Sequence, residues 1–134
     1  MTRHPTTFKL TAPKPPVPTE YDEQAALIEW ADLASRKYPE LKWLHSIPNG
    51  AHTHIVTAMK LKKSGVRKGI PDLELPAARK GYHALYIEMK RIKGGRVDPE
   101  QVACHAYLRD AGYHVVVCKG WEAAKAEILD YLKG

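Results

Sequence analysis

The segment Tyr82–Lys90 constrains the fold more than any other, because its side chains alternate at the two-residue period of a β-strand. The predicted faces are formed by His83, Leu85, Ile87 and Met89 on one side, and by Tyr86, Glu88 and Lys90 on the other. Glu88 and Lys90 are therefore neighbours, one pleat apart, at the end of a strand that is otherwise apolar or aromatic. The pattern predicts a strand that presents a carboxylate and an ammonium group side by side.

A second strand is predicted at Asp72–Leu75, directly after Gly69-Ile70-Pro71, with a loop before Tyr82. If the two strands pair as a hairpin, Asp72 lies near Glu88 and Lys90, and two carboxylates can share a hard divalent cation. Hydrolysis of a phosphodiester needs such a cation to polarise the phosphate and acidify a water, while a lysine adds positive charge beside the transition state. The three residues therefore predict metal-assisted phosphodiester chemistry.

Simpler interpretations exist for each of these residues. Glu88 and Lys90 could form an ion pair on a solvated strand, which is common for these two residue types. Asp72 could be a turn former after Pro71. The combination of a Gly-x-Pro-Asp turn, a Glu-x-Lys strand and a basic glycine-containing loop favours the catalytic interpretation.

The remaining pattern predicts alternating helices and strands. The predicted elements are a helix capped by Thr19 and running to about Lys37, a strand at Leu41–Ile47, a helix at about Thr53–Lys63, a helix capped by Asp98 and ending near Gly112, a strand at Tyr113–Cys118 and a helix at Trp121–Leu132. This order predicts an α/β sandwich around a small mixed β-sheet flanked by helices. In the first helix, Glu20 and Gln24 fall on the same inward face as the apolar residues.

The 134 residues fit one domain, and the two cysteines are too few for a disulfide framework. Five prolines at positions 5, 13, 15, 16 and 18 predict a flexible tail over residues 1–18, followed by a folded domain over residues 19–134. No apolar run approaches the roughly 18 residues of a membrane span, and residues 1–7 lack the apolar core of a secretory signal. We therefore expect no membrane partner and a cytoplasmic location.

The net charge is +6, with 21 Lys and Arg against 15 Asp and Glu. Eleven of the basic residues fall within 37 positions: Lys60, Lys62, Lys63, Arg67, Lys68, Arg79, Lys80, Lys90, Arg91, Lys93 and Arg96. Clustered positive charge favours polyanions such as nucleic acid, because neutralised phosphates release counterions. A solvated basic face is the alternative that charge alone leaves open.

The ordered motifs resemble a known family. The segments Gly65–Leu73, Tyr86–Lys90 and Asp98–Gln101 are similar to those of the VRR-NUC domain, which belongs to the PD-(D/E)xK nuclease superfamily. The similarity extends from about Glu20 to Leu132. It implies a restriction-endonuclease-like α/β core, and stand-alone members of this kind occur in phages and bacteria.

The resemblance also assigns roles to residues. It implies that Asp72 and Glu88 bind Mg²⁺ or Mn²⁺ with the Met89 backbone carbonyl, and that Lys90 assists the water or the transition state. It matches Glu20 to an acidic residue of the family's first helix and Gln101 to a glutamine that follows the catalytic strand. A capping-box role for Gln101 beside Asp98 is equally open from the sequence, and both roles can hold together. The segment Pro48-Asn49-Gly50 matches a turn near the family's active site.

The expected function is thus a metal-dependent DNA endonuclease, acting as a homodimer on branched DNA such as Holliday junctions. A non-catalytic basic nucleic-acid-binding module is the alternative, and a structural or toxin-like protein that uses the fold without metal is a third. His45, His52 and His54 suggest a zinc site, but no further Cys or His stands at zinc-finger spacing around them. His52 or His54 could instead act as a general base, a role with which the lysine of the Glu-x-Lys strand competes.

Overall fold

The structure, a computed structural model, describes residues 16–49 and 55–134. Its elements are α1 (Glu20–Ala34), a 3₁₀ turn (Pro39–Trp43), β1 (His45–Ser46), α2 (Ile55–Lys63), β2 (Leu73–Leu75), β3 (Leu85–Lys90), α3 (Pro99–Asp110), β4 (His114–Lys119) and α4 (Trp121–Leu132). Residues 1–15 of the predicted tail, Gly50 of the predicted turn, and His52 and His54 lie outside the described residues. Within the described ranges, no helix has both the length and the hydropathy to cross a bilayer.

The four strands form one mixed sheet in the order β1-β2-β3-β4. β1, β2 and β3 pair antiparallel, whereas β3 and β4 pair parallel across the α3 connection. Leu73 lies opposite Ile87 in the β2–β3 hairpin, so continuing the register by one residue places Asp72 opposite Glu88. The predicted hairpin and the predicted α/β class with a small mixed sheet are both confirmed.

The core lies on one face of the sheet, between β3 and the helices α1 and α4. Leu85, Ile87 and Met89 of β3 are fully buried there, as the alternation predicts. They pack in one cluster with Leu27 and Ala31 of α1 and with Ala124, Ile128 and Tyr131 of α4. Helix α3 covers the opposite face, so β3 is enclosed on both sides and at both edges.

Two helix starts match the sequence prediction. Thr19 caps α1 in a capping box with Asp22, through hydrogen bonds of 3.0 and 3.1 Å. Asp98 caps α3 in a second box with Gln101, and Pro99 occupies the first helical position. Because each box satisfies backbone N–H groups that the first turn leaves unpaired, these two helices begin where the sequence says.

The predicted strand at Leu41–Ile47 is wrong over most of its length. Pro39 starts a 3₁₀ turn because its fixed φ suits the first position, and the turn buries Leu41 and Leu44, which stand three residues apart. Only His45–Ser46 pairs as a strand. Two other bounds also move: α1 ends at Ala34 instead of Lys37, and β3 begins at Leu85 instead of Tyr82.

The late start of β3 has a local cause. The loop between β2 and β3 contains a tight reversal in which Lys80 and Gly81 both have positive φ, at 54° and 84°. Tyr82 donates its backbone N–H to the Arg79 carbonyl there, so it closes the turn instead of joining the sheet.

Candidate active site

Asp72 is held at the end of the sheet by hydrogen bonds to two other segments. Its Oδ2 accepts the backbone N–H of Met89 at 2.7 Å, and its Oδ1 accepts the Asn49 amide at 2.9 Å. Its carbonyl accepts the Ile47 N–H at 2.8 Å. Asp72 therefore fixes the predicted Pro48-Asn49 turn against β3, which is more than the role of a turn former.

Glu88 and Lys90 are buried, with side chains 1% and 6% exposed. The interpretation as an ion pair on a solvated strand is therefore wrong. The sequence cannot show this burial, because it arises from β4 pairing alongside β3 and from α3 packing across the face that carries Glu88. Buried charged groups need compensating partners, and α3 supplies them.

Gln101 links the two buried charged residues. Its side-chain Nε2 donates to Glu88 Oε2 at 3.1 Å, and its Oε1 accepts from Lys90 Nζ at 3.0 Å. The same Oε1 accepts the Asp98 backbone N–H at 3.0 Å. The capping role and the contact with the site residues, which the sequence left as alternatives, are thus made by one side chain.

The electrostatics of the pair Asp72 and Glu88 favour an added cation. Burial, the hydrogen bond and negative charge of Asp72, and the charge of Glu20 together raise the pKa of Glu88 to about 9, while Lys90 opposes them. At neutral pH without a cation, Glu88 therefore keeps its proton, because burial and the neighbouring negative charge disfavour its ionised form. A divalent ion bound by these hard oxygen donors would replace that proton, so the donor set fits Mg²⁺ or Mn²⁺.

Asp72 and Glu88 open on a cleft of about 930 Å³ between α1, the Pro48-Asn49 turn and the start of α3. Glu20 and Gln24 line its α1 wall, together with Asp72 and Glu88 at its base. Glu23, another acidic residue of the first turn of α1, is instead buried against Gly120 and does not line the cleft. Within the part of the chain described, no three His, Cys, Asp or Glu side chains are close enough to hold a metal ion together, so Glu20 faces the cleft without joining Asp72 and Glu88 in one group.

Basic residues and a glycine complete the cleft. Lys68 and Arg91 line it, and neither forms a salt bridge with any residue in the described ranges. Gly69 has φ +88°, and a Cβ at this position would lie 2.6 Å from the Glu100 carbonyl oxygen. The loop that leads to Asp72 therefore touches the first turn of α3.

The structure places the Met89 backbone beside Asp72 and places His45 outside the cleft. The Met89 side chain lies in the core, and its backbone N–H is the donor to Asp72. His45 lies 3.4 Å from Glu74 on the exposed side of β1 and β2, outside the cleft. The zinc interpretation gains no support from His45.

Sequence reasoning missed His105. This residue is 3% exposed, and its Nε2 lies 3.1 Å from Glu88 Oε1. Burial lowers the pKa of His105, and the positive charges of Arg109 and Lys90 lower it further against the opposing charges of Asp72 and Asp98, which favours the neutral ring. The available signal was its spacing, because His105 stands one turn after Gln101 and therefore on the same helix face.

Comparison with known proteins agrees with this geometry. A family model described as the VRR-NUC domain matches residues 18–122. A solved structure described as a VRR_NUC domain protein superposes with a TM-score of 0.73 at 31% identity, covering 87% of this chain and 89% of that chain. No curated protein matches significantly. The predicted resemblance and the restriction-endonuclease-like fold are confirmed: the chain belongs to the VRR-NUC domain family, a family of nucleases.

Proposed function

We propose that this protein is a metal-dependent DNA endonuclease whose active site is formed by Asp72, Glu88 and Lys90. The observation that carries the proposal is the carboxyl pair at the base of the cleft, where half-buried Asp72 lies opposite buried Glu88 and an ammonium group stands one pleat away. Burying an ionisable group lowers the stability of the folded state, and a bound cation would offset that loss. Such groups are therefore found preferentially at functional sites.

Asp72 and Glu88 would hold Mg²⁺ or Mn²⁺, with the Met89 carbonyl and Glu20 as the further donors that the family resemblance implies. When bound, the ion would supply Lewis acidity to the phosphate and to the attacking water. Lys90 would stabilise the negative charge of the transition state, since the one hydrogen bond that its ammonium group makes within the described residues goes to the neutral Gln101 amide and leaves its other N–H groups available.

DNA would be held by the basic residues of the cleft. Lys68 and Arg91 line the same cleft as the carboxyl pair, so they can contact the phosphates of a bound strand. Removing both with Lys68→Ala and Arg91→Ala should weaken DNA binding in EDTA and reduce the slope of log K against log salt by about 1.8, because each phosphate contact contributes about 0.9. Lys80→Ala, at a surface ion pair with Asp130, is the control and should leave the slope unchanged.

The finer part of the proposal is a homodimer that cuts branched DNA such as Holliday junctions. A two-fold dimer presents two clefts related by the symmetry of a four-way junction. Light scattering should give twice the mass of the chain, and a monomer at working concentration would remove this part while leaving the nuclease proposal intact.

The test of the nuclease proposal compares four-way, flapped and linear DNA with Mg²⁺, Mn²⁺ or EDTA. We expect metal-dependent cleavage by the wild type, and a loss of about 10²–10³-fold for Lys90→Ala, the size found when one transition-state donor is removed. Glu74→Gln, on the neighbouring strand beside His45, is the matched control and should cleave normally. Wild type that cleaves nothing, or Lys90→Ala that cleaves at the wild-type rate, would contradict the proposal.

The basic cluster between residues 60 and 96 also favours a second candidate, a non-catalytic nucleic-acid-binding module. That function predicts salt-sensitive binding that needs no metal. It becomes the better account if the wild type binds DNA but never cleaves it, and if Asp72→Asn binds as tightly as the wild type with and without Mg²⁺.

A further inference from the structure

Both oxygens of the Glu88 carboxyl group are contacted from helix α3. Gln101 Nε2 donates to Oε2 at 3.1 Å, and His105 Nε2 lies 3.1 Å from Oε1. Because Gln101 and His105 are four residues apart, they project from one face of the helix. The two contacts fix the carboxyl plane as well as its position, which a single contact would not do.

His105 reaches Glu88 from behind, on the side away from the cleft. Glu88 and Gln101 line the cleft, whereas His105 does not and is 3% exposed. A substrate or a cation in the cleft therefore meets Glu88 first. Any effect of His105 on the reaction has to pass through Glu88.

The contact also selects one form of the ring. A neutral imidazole has one N–H donor and one bare nitrogen acceptor, and an ionised carboxylate can only accept. When Glu88 is ionised, the 3.1 Å contact is therefore a hydrogen bond only if the proton is on Nε2.

We propose that His105 is a positioning residue that donates from Nε2 to Glu88 Oε1 and so holds the carboxylate in the orientation that a divalent cation requires. The inference rests on the proposed function, because it concerns the same cation site. In this arrangement, the carboxylate that binds the metal is itself oriented by hydrogen bonds from residues outside the site. Loss of such a partner weakens metal affinity or activity by about 10–100-fold.

Three variants separate hydrogen bonding from packing. His105→Leu fills a similar volume without a donor, whereas His105→Gln places an amide N–H at a reach close to that of Nε2. His114→Leu is the matched control: His114 is a half-buried ring that stacks against Tyr82 and Tyr131 and makes no hydrogen bond to Glu88 within the described residues, so it reports the loss of a packed ring away from the site.

The measurement is Mn²⁺ affinity by calorimetry on the metal-free full chain, with cleavage kinetics beside it and circular dichroism to confirm folding. His105→Leu should bind Mn²⁺ about 10–100-fold more weakly and lower kcat while KM for DNA stays constant. His105→Gln should recover most of both losses, and His114→Leu should keep the wild-type affinity.

The outcomes distinguish this inference from the function on which it rests. If the wild type binds Mn²⁺ and His105→Leu binds it equally well, the positioning role is wrong and the nuclease proposal stands. If His105→Gln falls as far as His105→Leu, or His114→Leu loses as much, the effect is one of packing and the inference is overturned. If the wild type binds no Mn²⁺, the proposed function is wrong, and the positioning role of His105, which depends on it, is wrong as well.

Discussion

Replacing Glu88 with glutamine should make the protein more stable while it abolishes cleavage. The folded protein keeps Glu88 protonated up to a pKa of about 9, whereas the unfolded chain releases the proton near the ordinary value of 4.5. The unfolded state therefore binds fewer protons between these values, so the free energy of unfolding falls as pH rises from about 4.5 towards 9.

The size of the effect follows from the same values. Each pH unit in this range costs about 1.4 kcal/mol, so ionisable Glu88 removes up to about 3 kcal/mol at pH 7. Glutamine avoids this cost, but its amide has only one acceptor oxygen, so it can accept from Gln101 and still contact His105 only by donating its N–H to an imidazole that has changed tautomer. Allowing about 1–2 kcal/mol for the imperfect fit leaves an expected gain of roughly 1–2 kcal/mol at neutral pH.

Urea denaturation followed by circular dichroism in EDTA checks this expectation. Glu88→Gln should be about 1–2 kcal/mol less stable than the wild type near pH 4, where only the imperfect fit counts, more stable than it near pH 7, and more stable still relative to it near pH 8. Mg²⁺ should narrow the difference, because a cation that binds only the folded wild type stabilises it. Glu74→Gln, in the adjacent strand, serves as the control and should show no such gain. A Glu88→Gln protein that is less stable than the wild type near pH 8, or a gain that is the same at both ends of the range, would refute the reasoning.

Three further substitutions test separate contacts. Gly69→Ala should destabilise the fold by about 1–3 kcal/mol more than Gly65→Ala and should slow cleavage, since both glycines have positive φ but only Gly69 meets a neighbouring backbone; equal losses in urea denaturation would contradict this. Gln101→Glu keeps an acceptor for the helix cap but adds a negative charge beside Glu88. The cleavage rate should therefore fall by at least about tenfold with little change in helix content. An unchanged cleavage rate would show that Gln101 serves only as the cap partner of Asp98. Tyr131→Phe removes a 2.7 Å hydrogen bond to a buried carbonyl, and thermal melts should show a loss of about 1–2 kcal/mol with cleavage retained; an unchanged melt would count against the bond.

Local patterns predicted the parts of the fold that depend on neighbours in sequence. The cap at Asp98, the α4 helix at Trp121–Leu132 and the hairpin of β2 with β3 follow from spacing and turn chemistry, and each is present. The 3₁₀ turn at Pro39–Trp43 was missed because a short apolar run has no clear period, and the turn is decided by which leucines the core accepts.

The site divides in the same way. Asp72, Glu88 and Lys90 were identifiable because register and alternation place them together. The burial of Glu88 and the contact with His105 were not, because they depend on α3 crossing the sheet between β3 and β4. A helix phase predicts that Gln101 and His105 share a face, but the sequence does not say what lies opposite that face.

The contact at Gly69 has a mechanical consequence. The loop that carries Asp72 is in direct backbone contact with the helix that carries Gln101 and His105. The contact is close because no side chain separates Gly69 from the Glu100 carbonyl. This backbone contact therefore sets the distance between the two walls of the cleft. A side chain at Gly69 would push the loop away from α3 and widen the gap between Asp72 and the α3 side chains, so the width of the cleft depends on a lining residue that carries no chemical group of its own.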